Sequence, residues 1–223
     1  MRICNNKSKL LIRLGLVLIC FPVYSADFSG EALIGYNGGF SLQANLITAN
    51  FAQGFPLNLQ IGLAYTSMDP GNALDARRIF INDATNGDPE KSGSIWNLRF
   101  DLQYQVRWLS MQRAYIYGGP RYSMFTGNFA FIGGNEVFDI TSNQWGLGLG
   151  LKAYFAMGSR VDFVTSAGFD YYFASDITGH DTVYNPDGEN INPRNDYTYE
   201  TADDAINNPK FELLFLVGIN YHF

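Results

Sequence analysis

The segment SIWNLRFDLQYQVRW, residues 94–108, alternates without a fault. Trp96, Leu98, Phe100, Leu102, Tyr104, Val106 and Trp108 fall on one face, and Asn97, Arg99, Asp101, Gln103, Gln105 and Arg107 on the other. A strand sends successive side chains to opposite faces, whereas a helix of about 3.6 residues per turn would mix the two sets. This is a β-strand, and it is far longer than the usual 5 to 6 residues or so.

The same period recurs along the chain. In residues 211–223, Phe211, Leu213, Phe215, Val217, Ile219, Tyr221 and Phe223 oppose Glu212, Gly218, Asn220 and His222. Trp145, Leu147, Leu149, Leu151 and Phe155 oppose Gln144, Gly146, Gly148, Gly150 and Lys152, and Phe163, Phe169 and Tyr171 oppose Asp162, Ser166 and Asp170. Residues 57–66 and 114–124 follow suit. Residues 28–36 and 40–50 are less regular: Ile47 and Phe51 break the alternation, which predicts a bulge or an early strand end. Eight strands result. Short links near 52–56, 109–112 and 156–159 alternate with long ones at 68–93, 126–143 and 175–209, and a tight Asn37-Gly38-Gly39 turn is the exception. The fold class is therefore all-β: an eight-stranded antiparallel up-and-down sheet in one domain, residues 26–223.

Residues 1–25 read as a secretory signal peptide. Arg2, Lys7, Lys9 and Arg13 precede an apolar stretch at 14–21, and Val23-Tyr24-Ser25 predicts cleavage after Ser25. Cys20 follows Ile19, where a lipid-attachment motif has a small residue. Cleavage removes both cysteines and four basic residues, leaving 11 basic and 21 acidic residues. An exported chain without disulfides is held by something else, and a closed hydrogen-bonded sheet is one answer.

Charged residues are 16% of the chain, against about 25% in ordinary soluble domains. A pI near 4.8 excludes a basic nucleic-acid face. Two His and two Cys leave little for a metal or redox centre, and no metal or cofactor is expected. The absence of any apolar run of about 18 residues excludes a helical membrane bundle.

Alternation alone does not say which face is inside. A lipocalin-like barrel would turn the apolar face inward. The strand lengths suit the 9 to 11 residues or so of a tilted membrane strand, and aromatics gather near strand ends as interfacial girdles do. The polar face carries Glu31, Arg99, Asp101, Arg107, Arg121, Lys152, Arg160, Asp162, Asp170, Lys210 and Glu212, nearly balanced in sign. Such balance fits ions neutralising one another in a confined lumen. The ending Phe215, Val217, Ile219, Tyr221, Phe223 resembles the C-terminal signal of outer-membrane β-barrels, and the whole resembles the small eight-stranded barrels of the OmpA-transmembrane-domain and OmpX type. The resemblance implies a transmembrane barrel in the bacterial outer membrane, with lipids, lipopolysaccharide and the barrel-insertion machinery as partners and nucleic acid excluded.

Eight strands enclose a space that side chains fill. The first expectation is a closed structural or surface-binding barrel without enzymatic activity; a narrow pore for small solutes or ions is the nearest competitor. The long 175–209 segment holds eight acids against Arg194. Asp176, Asp181, Asp187 and Glu189 are candidates for contact with divalent cations or lipopolysaccharide, and Tyr197 and Tyr199 for adhesion, on a loop expected to be polar and solvated. The different-class alternative is a lipid A-modifying enzyme. Ser175, Asp176 and His180 supply the residue types for it without the His-x-Ser arrangement such deacylases resemble.

Overall fold

The computed structural model describes residues 26–52, 54–107, 113–194 and 196–223. The signal-peptide reading, Trp108 and the link at 109–112 lie outside the described residues. The elements are β1 (Asp27–Asn37), β2 (Phe40–Ala49), β3 (Leu57–Met68), α1 (Ala73–Phe80), β4 (Asp88–Val106), β5 (Ala114–Ile132), β6 (Glu136–Ala156), β7 (Val161–Tyr172), β8 (Ile177–Gly179), β9 (Thr182–Tyr184), α2 (Tyr199–Ala205) and β10 (Phe211–His222). Strands β1 to β7 pair antiparallel in sequence order; β10 pairs with both β7 and β1 and closes the ring. Eight strands thus form a barrel, and the small β8–β9 hairpin extends the sheet from β6.

The burial pattern settles the orientation. Leu98 and Phe215 are 48% and 59% exposed on the outside, while Arg99, Asp101 and Asp170 are buried inside. Leu63, Leu98, Tyr122 and Trp145 lie side by side as cross-strand partners around the outer wall. Aromatic rings mark its two edges. Tyr65 meets Trp96 at 5.0 Å and Tyr122 meets Trp145 at 4.9 Å near one edge; Phe155 and Phe163, and Tyr221 and Phe223, pair near the other. An apolar band between aromatic girdles, around a polar interior, is the surface a bilayer requires.

The region above the upper girdle differs from expectation. Residues 126–143 are not a loop: β5 and β6 continue through them, paired from Thr126↔Thr141 to Phe131↔Glu136, and turn at Gly133, whose φ is +79°. Likewise 68–93 contains α1 and the start of β4, and 175–209 contains β8, β9 and α2. These segments build a cap with its own apolar core. On α1 the buried residues Ala73, Ala76, Ile79 and Phe80 follow helical spacing, and Asn72 caps the helix by accepting from the Leu74 and Asp75 N–H groups at 3.1 and 3.4 Å. They pack with Ile95, Phe125, Phe129, Phe131, Phe138, Ile140, Ile177, Tyr184, Ala202 and Ile206. The acids of 175–209 line the outside of a packed structure, not a solvated loop.

No bulge interrupts β2. Its register with β1 and β3 is unbroken, it ends at Ala49, and Ile47 points inward. Ile47 belongs to an apolar layer inside the barrel with Leu33, Val164, Leu214, Leu216 and Tyr154.

Candidate functional site

The lumen is the chemically dense part of the barrel. Arg99 on β4 donates to both oxygens of Asp170 on β7, at 2.6 and 3.2 Å. Arg121 on β5 bridges Asp170 (2.8 Å) and Asp101 (2.8 Å) and donates to the Gly119 and Pro120 carbonyls. Toward the other mouth, Lys152 on β6 donates to Glu31 (2.7 Å) and to the Gln60 side-chain oxygen (2.6 Å). Glu31 also accepts from Asn45 (2.8 Å) and the Tyr154 hydroxyl (2.5 Å). Gln60 joins the two clusters by donating to Asp101 at 3.1 Å, and Gln103 donates to Gln60 at 2.6 Å.

Three cations and three carboxylates are thus matched, none more than 4% exposed. Isolated ions in such a space are strongly unfavourable, so each carboxylate draws several donors. The neighbouring wall is shaped to admit them. A Cβ on Gly148 would stand 2.2 Å from an Asp170 oxygen and 2.3 Å from an Arg121 nitrogen, so a larger residue at that position on β6 would displace the ion pair. Sequence alternation points to these six residues and sets Tyr117 on the same face as Arg121; it passes over Asn45, Tyr154 and Tyr172, which line the same space.

Five residues expected in the same network lie elsewhere. Arg107 and Arg160 are exposed at strand ends on the short-turn rim, and Lys210 is exposed beside α2, paired with Asp203 at 2.6 Å. A charge one residue beyond a strand has parity but no wall to enclose it. Glu212 is half-buried near the opposite mouth. Asp162 is buried at the short-turn mouth, where one oxygen meets Arg113 and His222, each at 2.7 Å. Arg113 carries no sequence signal because it precedes the regular part of β5. On β10, Phe215, Val217, Ile219 and Tyr221 all face outward in one row that Phe223 extends.

The candidates in 175–209 do not converge. Asp176 accepts from Asn185 (2.7 Å), Asp181 meets His180 (2.9 Å), and Asp187 and Glu189 are exposed. Tyr197 and Tyr199 are half-buried against the cap core, and burial pushes the Tyr199 hydroxyl up to about 12. No grouping of three or more His, Cys, Asp or Glu able to hold a metal ion occurs among the described residues. Ser175 lies against Ser142 (3.2 Å) and His180 against Asp181, so the residues considered for hydrolysis are not assembled.

The cap is fastened by Arg77, which the sequence does not single out. Its buried guanidinium meets Glu136 at 2.5 Å, donates to the Asn86 carbonyl at 2.7 Å and stands over the Phe131 ring at 4.4 Å. The Arg77 contact holds the Glu136 carboxyl below the ordinary value of 4.5. The net charge of −10 in residues 26–223 resides in this cap, where fifteen acids face five bases.

A closed antiparallel ring with a lipid-compatible outer band and a neutralised ionic lumen defines a transmembrane β-barrel, and the protein is an eight-stranded barrel of the bacterial outer membrane. Among solved structures, it is similar to a major outer membrane protein from Thermus thermophilus, with a TM-score of 0.73 and 26% identity over 90% of this chain and 100% of that one. Neisserial surface protein A (TM-score 0.42, 12% identity, 90% and 98% covered) and CarO of Acinetobacter baumannii (0.41, 15%, 91% and 98%) also match. No protein-family model matches the sequence, and no curated protein matches it.

Proposed function

We propose that the protein is a closed structural barrel that anchors an acidic, surface-binding cap at the cell surface, and that it is not an enzyme. The observation carrying this reading is the double seal. The six lumen ions are buried and mutually paired, and the apolar core of the cap lies across the upper mouth. An aqueous channel needs a wider ring, of about 16 strands. Lipid and lipopolysaccharide contact the outer band, and the outward row from Phe215 to Phe223 supports recognition of β10 by the barrel-insertion machinery.

Conductance tests the closed state. Pure protein in a planar bilayer is expected to give no steady current above the bare membrane. A sustained, large conductance would overturn the reading in favour of a narrow pore.

A further inference from the structure

The wall of the cap is low on one side. β1 and β2 turn back at Gly38 and Gly39, while β5 and β6 climb to Gly133. Two recesses open on the low side, of about 520 and 350 Å³, and they share Asp69 and Asn207. The larger lies between the start of α1, the start of β4 and the end of α2; the smaller continues to Asn208, Glu212 and the ring of Phe211. Phe211 faces outward at the level of the upper girdle, stacked on Phe169 at 5.4 Å. The recess therefore sits where lipid headgroups lie.

Asn208 is the informative residue. It is 4% exposed, and neither its side-chain nitrogen nor its oxygen is hydrogen-bonded among the described residues. A buried amide with both ends unmet is strongly unfavourable and calls for a partner offering a donor and an acceptor together. The charges nearby narrow the partner's chemistry. Lys91 is held by Asp69 at 2.7 and 2.8 Å, and Lys210 by Asp203 at 2.6 Å, so the two cations are already matched. An added anion meets Asp69, Asp204 and Glu212, and a bare cation offers no acceptor to the Asn208 amide nitrogen. A neutral, hydroxyl-rich molecule meets neither penalty, since each hydroxyl both donates and accepts. Phe211 offers an apolar platform for its C–H face.

We propose that this recess binds a pyranose sugar of a glycolipid in the outer leaflet. The proposal rests on the surface-binding half of the function above and not on the closed lumen, so a conducting barrel would leave it standing. The test is calorimetric titration of the full chain, in detergent micelles, with glucose, galactose, N-acetylglucosamine and the oligosaccharide released from lipopolysaccharide by mild acid. Intact lipopolysaccharide in nanodiscs forms a second arm. Saturable binding is expected, at least tenfold tighter for intact lipopolysaccharide than for the free oligosaccharide. Asn208→Leu is expected to weaken it tenfold or more while the barrel stays folded, judged by its shifted band on an unboiled gel, because the apolar residue leaves no unmet polar group. Glu212→Gln serves as the second variant and is expected to weaken binding less. Equal binding of free and lipid-linked sugar would overturn the lipid source. No saturable binding of any probe, or unchanged affinity in both variants, would overturn the site.

Discussion

Strands β5 and β6 pass through two solvents, and their faces exchange roles on the way. In the membrane half the inward face carries Arg121, Ser123, Gln144 and Gly148, and the outward face Tyr122, Trp145 and Leu147. One step further along the same inward face stand Phe125, Phe129, Phe131, Phe138 and Ile140, and the outward face becomes Thr126, Asn128, Asp139 and Thr141. The backbone pairing does not change across this boundary. What changes is the medium outside: hydrocarbon below, water above. Each half buries what its surroundings reject, so the point of inversion between Met124 and Thr126 marks the upper edge of the hydrocarbon more sharply than strand length does.

The sharpest attempt to break this contrast removes one lumen carboxylate. Asp170→Asn leaves Arg99 and Arg121 short of a charge partner in a closed space, and a loss of about 3–5 kcal/mol is expected. Urea unfolding of the barrel reconstituted in lipid vesicles measures it. A loss below about 1 kcal/mol would mean that the lumen is wet enough to solvate free guanidinium groups, which would undo the comparison.

The next test uses two positions on the outward face of β6. Leu149 faces hydrocarbon, and Val137, 74% exposed, faces water beyond the girdle. Leu149→Lys is expected to cost about 2–4 kcal/mol, the penalty for a lipid-facing cation near the midplane. Val137→Lys is expected to stay within about 0.5 kcal/mol, as exposed surface changes do. Equal effects in the same vesicle assay would move the inversion point or remove it.

The inversion also explains how much of the molecule is legible in the sequence. Where one solvent surrounds a strand, the phase of alternation holds: β3, β7 and the stretch of β4 from Trp96 to Leu102 can be read with the correct face outward, whereas at the end of β4 the phase slips and leaves Gln105 exposed and Val106 buried. Where the solvent changes mid-strand, the phase flips. Between Met124 and Phe125 the apolar residues move from even to odd positions, and again between Ile140 and Trp145, and a flipped phase resembles a strand ending in a loop. The apolar lumen layer escapes a sequence reading for a related reason. Leu214 and Leu216 make β10 apolar on both faces, which erases the contrast that names a face. The lumen ions are legible because parity decides their side; which acid meets which base is not, because strand register brings Arg99 and Asp170 together from 71 positions apart.

The smallest expected effect separates the two halves by pH. Glu136 belongs to the cap, and its carboxyl is held below 4.5, first by the Arg77 hydrogen bond and further by Asn82 at 2.6 Å. A carboxylate whose folded value is lowered contributes stability in full above 4.5 and loses it as pH falls through the folded value. Glu136 is partly open to water, so the contribution is modest, about 1 kcal/mol, and confined to the cap. Hydrogen exchange of α1, corrected for its intrinsic pH dependence, is expected to quicken below pH 4.5 while the barrel strands stay protected. Glu136→Gln is expected to flatten that profile, since it removes the titrating group and keeps the contact with Asn82. If wild type and variant quicken together, the acid response belongs to other carboxylates, and Arg77 fastens the cap through Phe131 and the Asn86 carbonyl alone.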